Sequence, residues 1–365
     1  FILSAITVVW TKALSARTRA LGVAGTDDRR DWYELDPSNA DDELALSLLQ
    51  NVIVAQVPKD RLGAPDSNGV YRALDTWPDS KRLSASENLC PGQRFLRQPV
   101  FAHCSATLVG PSQVITAGHC YDNLACADTA YVFKYYVTGH DAGGEPTFAE
   151  ITTDDVYFCS SVTTNYNKTA GNYDGTDIAY VQLDRPVLGR TPADYHKKLE
   201  LTTRGQELLG IGFGIGLPAK VDANVKVTDP CPKPLTDFDP FDGSEGDLTE
   251  QFSYQQLLDD LNSGVRNSDC EEEPVFFDVA ADAFHGNSGG GIFDSQGILV
   301  GALVRAFSSS KSDDYEMTDA GCYVVKPAPE GLKSASIVYV HRVLDLVPLS
   351  PPSSPPSSPP SSPPS

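Results

Sequence analysis

Basic residues, methionine, tryptophan and long apolar runs are all scarce in this chain. Its 365 residues carry 28 Lys and Arg against 49 Asp and Glu, a formal charge of −21. That deficit of cations argues against nucleic acid or acidic membranes as partners, since both call for a positive surface. One Met and three Trp give no Met-rich or aromatic docking face to argue from. No Cys-x-x-Cys pair occurs, so the usual zinc-ligand spacing is missing and neither a metal nor another cofactor is expected. The apolar stretch Phe1–Trp10 has ten residues, far short of the roughly 20 that span a membrane as a helix.

What is present points outward from the cell. Eight cysteines, an even number, read as a disulfide framework in a secreted chain, although eight allow about 105 pairings. Phe1–Trp10 suits the core of a signal peptide, with small residues Ala13, Ser15 and Ala16 as a cleavage site, so residues 1–22 are expected to be a leader remnant or short propeptide. Asn167-Lys168-Thr169 is a glycosylation sequon in a polar loop. Residues 349–365 are a Ser/Pro repeat that cannot bury a core and favours extended polyproline II, a stalk or linker suited to a cell wall.

Between these ends the pattern is all-β. Short β-branched or aromatic runs at Val52–Ala55, Ala106–Val109, Tyr131–Val137, Asp177–Leu183, Leu208–Phe213, Lys220–Val227 and Ile298–Phe307 are separated by Gly, Pro, Asn and Asp clusters. Helical periodicity is expected only near the end, over Ile337–Val347. An acidic insertion over residues 231–273 interrupts the strands. Its Asp237-x-Asp239-x-x-Asp242-Gly243 run fails the calcium-loop pattern, with one residue too many before Asp242 and no acid at the twelfth position. It is read as a solvated insertion.

Three motifs carry chemistry. Thr116-Ala117-Gly118-His119-Cys120 puts a histidine after an apolar strand, and Gly286-Asn287-Ser288-Gly289-Gly290-Gly291 holds a serine in a glycine-rich turn. Gly175-Thr176-Asp177-Ile178-Ala179-Tyr180 offers a carboxylate between them, with Asp174 a nearby rival. A serine hydroxyl is a poor nucleophile near neutral pH and needs a base, and imidazole, with a pKa near 6.5, takes and returns that proton. A buried carboxylate then fixes the imidazole tautomer.

In this order and setting, the three motifs resemble the trypsin-like serine endopeptidases over roughly residues 23–348. The resemblance implies two six-stranded antiparallel β-barrels of chymotrypsin type with a short C-terminal helix. It makes Ser288 the nucleophile, His119 the base and then acid, Asp177 the orienter, and the N–H groups of Gly286 and Ser288 the oxyanion donors. It also implies the Cys104–Cys120 disulfide. Cys231–Cys270 is expected to close the insertion and Cys126–Cys159 to form a third pair, leaving Cys90 and Cys322. Asn287 stands where animal digestive proteases have the Asp that pairs with a freed N-terminus, so that zymogen switch is expected to be absent. Asn287 and Gly25-Thr26-Asp27-Asp28-Arg29 are similar to the secreted glutamyl-endopeptidase branch, the staphylococcal V8 group.

Substrate preference is read from Asp282, six residues before Ser288, where trypsin-like enzymes place the acid that binds Arg or Lys. Ala283 and Leu303 stand where glutamyl-specific enzymes carry a hydroxyl residue and a histidine. His285 and Arg305 are cations that could neutralise Asp282 and leave an apolar or acid-accepting pocket. The expectation is a monomeric secreted serine endopeptidase acting on proteins or peptides. The alternatives are an inactive homologue serving as an extracellular binding protein, which would normally lack one of the three residues, and a structural wall protein suggested only by the tail.

Overall fold

A computed structural model describes residues 23–166, 176–232, 270, 273–306, 314–328 and 334–347. The leader stretch, the Asn167 sequon, Asp174, the acidic run of the insertion and the Ser/Pro tail lie outside the described residues.

Twelve strands form two closed barrels. The first contains β1 (Ile53–Pro58), β2 (Cys104–Gly110), β3 (Gln113–Ala117), β4 (Thr129–Val132), β5 (Val156–Thr164) and β6 (Ile178–Leu183). The second contains β7 (Glu207–Gly212), β8 (Lys220–Asp229), β9 (Phe276–Ala280), β10 (Gly291–Phe293), β11 (Leu299–Ala306) and β12 (Ala335–Tyr339). Neighbours run β1-β2-β3-β6-β5-β4 in one and β7-β8-β9-β12-β11-β10 in the other, so the same winding occurs twice. All pairs are antiparallel, and closure leaves neither sheet with an open edge. This is the chymotrypsin-like arrangement expected from the sequence.

Burial explains why several strands read as apolar runs rather than as clean alternation. In β2 the first five residues are all buried: Ala106 and Leu108 point into the first barrel's core, and Ser105 bonds across to the second barrel. The second core is built from Val225, Phe277, Val279, Ile292, Val300, Ile337 and Tyr339. All four expected cysteine pairs are formed, Cys90–Cys322, Cys104–Cys120, Cys126–Cys159 and Cys231–Cys270. No helix among the described residues is long and apolar enough to cross a membrane.

Three local readings change. The run Tyr131–Val137 is not one strand: β4 stops at Val132, and Lys134 takes a left-handed φ of 61° that turns the chain into a separate hairpin strand, Val137–His140. The Lys134 ammonium is held there by Asp155 at 3.0 Å. The expected helix Ile337–Val347 begins as β12, whose five residues are all buried between β9 and β11, and only Val340–Asp345 coils, as a 3-10 turn. Closing the barrel takes precedence over the local helical spacing. A helix that the reading missed, α1 (Ala40–Asn51), is capped by Asn39, whose side chain accepts from Asp41 and Asp42 N–H. Asp41, Asp42 and Glu43 suit its positive end, and Ala45, Leu48 and Leu49 are buried on one face.

Before α1, the chain from Val23 to Asp31 lies against the second barrel. Val23–Ala24 pairs in parallel with Pro327–Ala328, and Val23 is fully buried. Lys220, at the start of β8, spends its three N–H donors on Asp31 (2.7 Å), Gln98 (2.7 Å) and the Pro218 carbonyl (2.9 Å). Gln98 Nε2 donates in turn to the second Asp31 oxygen at 2.7 Å. Arg29, equally buried, makes two 2.9 Å bonds to Asp27, and its guanidinium lies 4.3 Å over the Phe284 ring. Nearby, the buried Asp222 carboxylate accepts from the N–H groups of Asn224 (2.9 Å) and Asp282 (2.7 Å). Burial pushes the Asp222 carboxyl up to about 6 from its ordinary 3.8, an effect that those N–H groups only partly oppose.

These buried charges give two expected outcomes. Lys220→Met should cost about 3–5 kcal/mol, because it leaves the Asp31 carboxylate buried without a cation, and adding Asp31→Asn should restore much of that loss. Urea midpoints at constant slope measure both. Asp222 binds its proton more tightly in the folded chain than in the unfolded one. Its contribution is therefore full below pH 3.8 and lost as pH rises through about 6. The gap is worth about 3 kcal/mol, and Asp222→Asn should flatten that part of the stability–pH curve.

Candidate active site

The register of the first barrel brings a histidine and a carboxylate together. Ala117, the last residue of β3, pairs with Ile178, the first of β6, so the residues just beyond both strand ends are neighbours. The Gly118 N–H donates to the Asp177 carbonyl at 2.9 Å. His119 N–H donates to Asp177 Oδ1 at 2.9 Å, and its ring Nδ1 lies 2.8 Å from Asp177 Oδ2. Asp177 is buried and takes a left-handed φ of 48°, which turns its carboxylate back to the β3 end. Gly118 has no room for a side chain: a Cβ there would lie 2.5 Å from Tyr166 Cβ.

Ser288 arrives from the second barrel, on the turn between β9 and β10. Its Oγ lies 2.8 Å from His119 Nε2, so carboxylate, imidazole and hydroxyl form one continuous hydrogen-bonded series. The His119 imidazole, about a third exposed, is desolvated enough to lower its proton affinity. The hydrogen bond and negative charge of Asp177, with a further charge at Asp122, outweigh that burial and lift its pKa above the ordinary 6.5, while Arg305 opposes them. An imidazole placed this way can take a proton from the serine hydroxyl and hold it as a cation beside a buried carboxylate.

The turn around Ser288 is tightly constrained. Gly286 takes a φ of 90°, and a Cβ there would come within 2.9 Å of the Phe213 carbonyl. A Cβ on Gly289 would lie 2.1 Å from the Ser105 carbonyl. Glycine is required at both places, by conformation and by space. The N–H groups of Gly286 and Ser288 have no acceptor among the described residues, whereas the carbonyls of His285, Gly286, Asn287 and Ser288 are engaged.

The residues read as specificity determinants are not gathered at one point. Asp282 is buried against the N-terminal segment: its carboxylate accepts from Asp28 N–H at 3.3 Å, and its carbonyl accepts from Asn287 Nδ2 at 3.2 Å. The charge of Arg29, a residue the sequence reading did not connect with it, lies close enough to interact with it. His285 is exposed, and its carbonyl accepts from Ile215 N–H at 2.6 Å. Arg305 lies on β11, 5.4 Å over the Phe276 ring, close enough for its charge to act on His119. Ala283 and Leu303 are buried.

Two further residues touch this region without having been singled out. Tyr166 stands edge-on to the His119 ring at 6.1 Å and donates to Asp122 at 3.2 Å. Ser105, next to Cys104, bonds directly to the Ser288 turn. The position directly after Cys104 was the one available signal for Ser105, and nothing local marks Tyr166. The cluster with metal-like spacing among the described residues is Cys104, His119 and Cys120, and its sulfurs are already joined in a disulfide, so they offer no thiolate.

Comparison with curated proteins returns no match. Among solved structures, the inactivated protease paralogue S-I1 of the scabies mite is 16% identical over 66% of this chain and 85% of its own, with a TM-score of 0.37. The VesB protease of Vibrio cholerae is 13% identical, covering 82% of this chain and 63% of its own, at 0.39. The active form of the Rv3671c protease of M. tuberculosis is 11% identical, covering 89% and 92%, at 0.37. The sequence pattern of the trypsin-like peptidase domain matches residues 104–301, more than half of the 365, a span that runs from Cys104 past the Ser288 turn into β11. The chain belongs to the family of trypsin-like peptidase domains.

Proposed function

We propose that this protein is a secreted serine endopeptidase that cleaves peptide bonds through an acyl-enzyme. The observation that carries this reading is the unbroken series Asp177–His119–Ser288, with both ring nitrogens 2.8 Å from their partners. Ser288 Oγ gives its proton to His119 Nε2 as it attacks the substrate carbonyl carbon, and the Gly286 and Ser288 N–H groups receive the resulting oxyanion. His119 then passes the proton to the leaving amine, and the acyl-enzyme is left. Water attacks it, with His119 again taking the proton, and Ser288 departs as the hydroxyl. Asp177 stays ionised throughout and stabilises the imidazolium. An inactive binding homologue would have no use for this alignment.

The finer reading is the V8-like branch, with a catalytic domain over residues 23–348, an acidic insertion at 231–273 and a Ser/Pro stalk. Four disulfides favour an oxidising, extracellular setting. Asn287 and the Asp27-Asp28-Arg29 segment support that branch: Asn287 is neutral, and the cation near the Ser288 loop is the internal Arg29. Because Arg29 and Asp28 N–H already attend to the Asp282 carboxylate, the pocket favours apolar or acidic side chains over Arg or Lys.

A fluorophosphonate probe should label Ser288 and should fail to label Ser288→Ala; labelling that survives the substitution would remove Ser288 from the mechanism. Asp177→Asn should leave the fold intact and lower kcat about ten-thousandfold through the wrong imidazole tautomer. In the unsubstituted protein the rising limb of kcat/KM should fall above pH 6.5, because the base works only when unprotonated and its pKa is raised. In Asp177→Asn the residual activity should rise at lower pH.

A further inference from the structure

The geometry points to Ser105 as a positioning residue for the oxyanion-binding turn, an inference that rests on the catalytic reading above. Four consecutive carbonyls of that turn are held in place. His285 O accepts from Ile215 N–H at 2.6 Å, Asn287 O from Gly290 N–H at 2.7 Å, and Ser288 O from Ser105 N–H at 2.8 Å. The fourth, Gly286 O, accepts from the Ser105 hydroxyl at 2.8 Å. Three holds are backbone N–H groups that nearly any residue supplies. The hydroxyl is the one side-chain hold, and so the one that depends on residue identity.

The direction of that hydroxyl is fixed. Phe213 N–H, just beyond β7, donates to Ser105 Oγ at 2.9 Å. A backbone N–H can only donate, so the hydroxyl proton is left for Gly286 O. Ser105 is fully buried, which denies water the role of substitute donor. Its own carbonyl accepts from Thr116 Oγ1 at 2.7 Å, three residues before His119. Ser105 thereby joins the first barrel, the end of β7 and the Ser288 turn through a single side chain.

The consequence is for the peptide planes. In a trans peptide the C=O and N–H point in opposite directions, so pinning a carbonyl aims the next residue's N–H. The His285 and Asn287 carbonyls aim Gly286 N–H and Ser288 N–H, and the Gly286–Asn287 peptide between them is held by Ser105 at its carbonyl, 2.8 Å, and more loosely by the Phe284 carbonyl at its N–H, 3.1 Å. Without the hydroxyl, that peptide keeps only the longer Asn287 N–H bond and can tilt at Gly286, which has no side chain to restrict its backbone, and the two donors lose their common target.

Ser105→Ala in the full chain tests this with the best peptide from a library screen. kcat should fall about ten- to a hundredfold, less than the loss of a whole oxyanion donor, while KM stays within about threefold. Affinity for a peptidyl boronic acid, whose tetrahedral adduct needs the same donors, should fall in step with kcat. Unchanged kcat, or a fall in kcat without a fall in boronate affinity, overturns the proposal. Amide hydrogen exchange over residues 284–290 gives a readout that needs no activity, and it should speed up in the variant while β4 and β5 do not. Equal exchange there also overturns it. If the unsubstituted chain neither cleaves nor takes the fluorophosphonate, the proposed function falls and the exchange difference alone decides the role of Ser105. Should the alanine chain fail to fold, Ser105→Cys, a weaker donor of similar shape, carries the same kcat, KM and boronate comparison.

Discussion

Everything at the site depends on how two separately closed barrels are brought into register at one seam. His119 and Asp177 belong to the first barrel and Ser288 to the second, so no strand pairing within either can set the distance from imidazole to hydroxyl. The seam does so through a few dry hydrogen bonds. Ser105 N–H and Oγ hold the carbonyls of Ser288 and Gly286, Phe213 N–H returns a bond to Ser105, and Gly289 sits where a single methyl group would meet the Ser105 carbonyl. Between buried groups such as these, a bond left unmade is costly, on the order of 1–3 kcal/mol for a stranded polar group. That is enough to favour one docking of the barrels over its neighbours.

Around this seam the protein manages an unusual density of buried charge. The chain from Asp27 to Asp31 contributes Arg29 and Asp31 to the interior, with Asp27 half-buried beside Arg29, and Lys220, Asp222 and Asp282 come from the second-barrel side. Lys220 and Asp31 are matched donor for acceptor. Asp222 is held by N–H groups, and burial raises its proton affinity in spite of them and of the Arg29 charge. Burial of this segment couples residues 27–31 to the loop that carries Phe284, Asn287 and Ser288.

Much of the chemistry was legible in the residues. The glycine-rich serine turn, the histidine after an apolar strand and the carboxylate before another are local patterns, and so were most of the strands, because β-branched runs between turn residues report their own conformation. Where the reading failed, a non-local demand had overridden a local one. Ile337–Val347 has helical spacing, but its first residues close a barrel. Tyr131–Val137 has strand composition, but Lys134 turns the chain. The helix α1 carried its signal in Asn39 and the acids after it, a cap that strand-oriented reading passes over.

The sequence by itself determined which chemical groups the protein owns, their order along the chain and the all-β class, since these follow from residue type and short-range periodicity. Only the tertiary structure decided what each group meets. The Ala117–Ile178 pairing sets Asp177 against His119, the N-terminal segment claims the Asp282 carboxylate, and Ser105, unremarkable in the sequence, joins both barrels. The physical reason is that a hydrogen bond between residues 58 to 254 positions apart depends on strand register and barrel closure, and neither is encoded in any short stretch of chain.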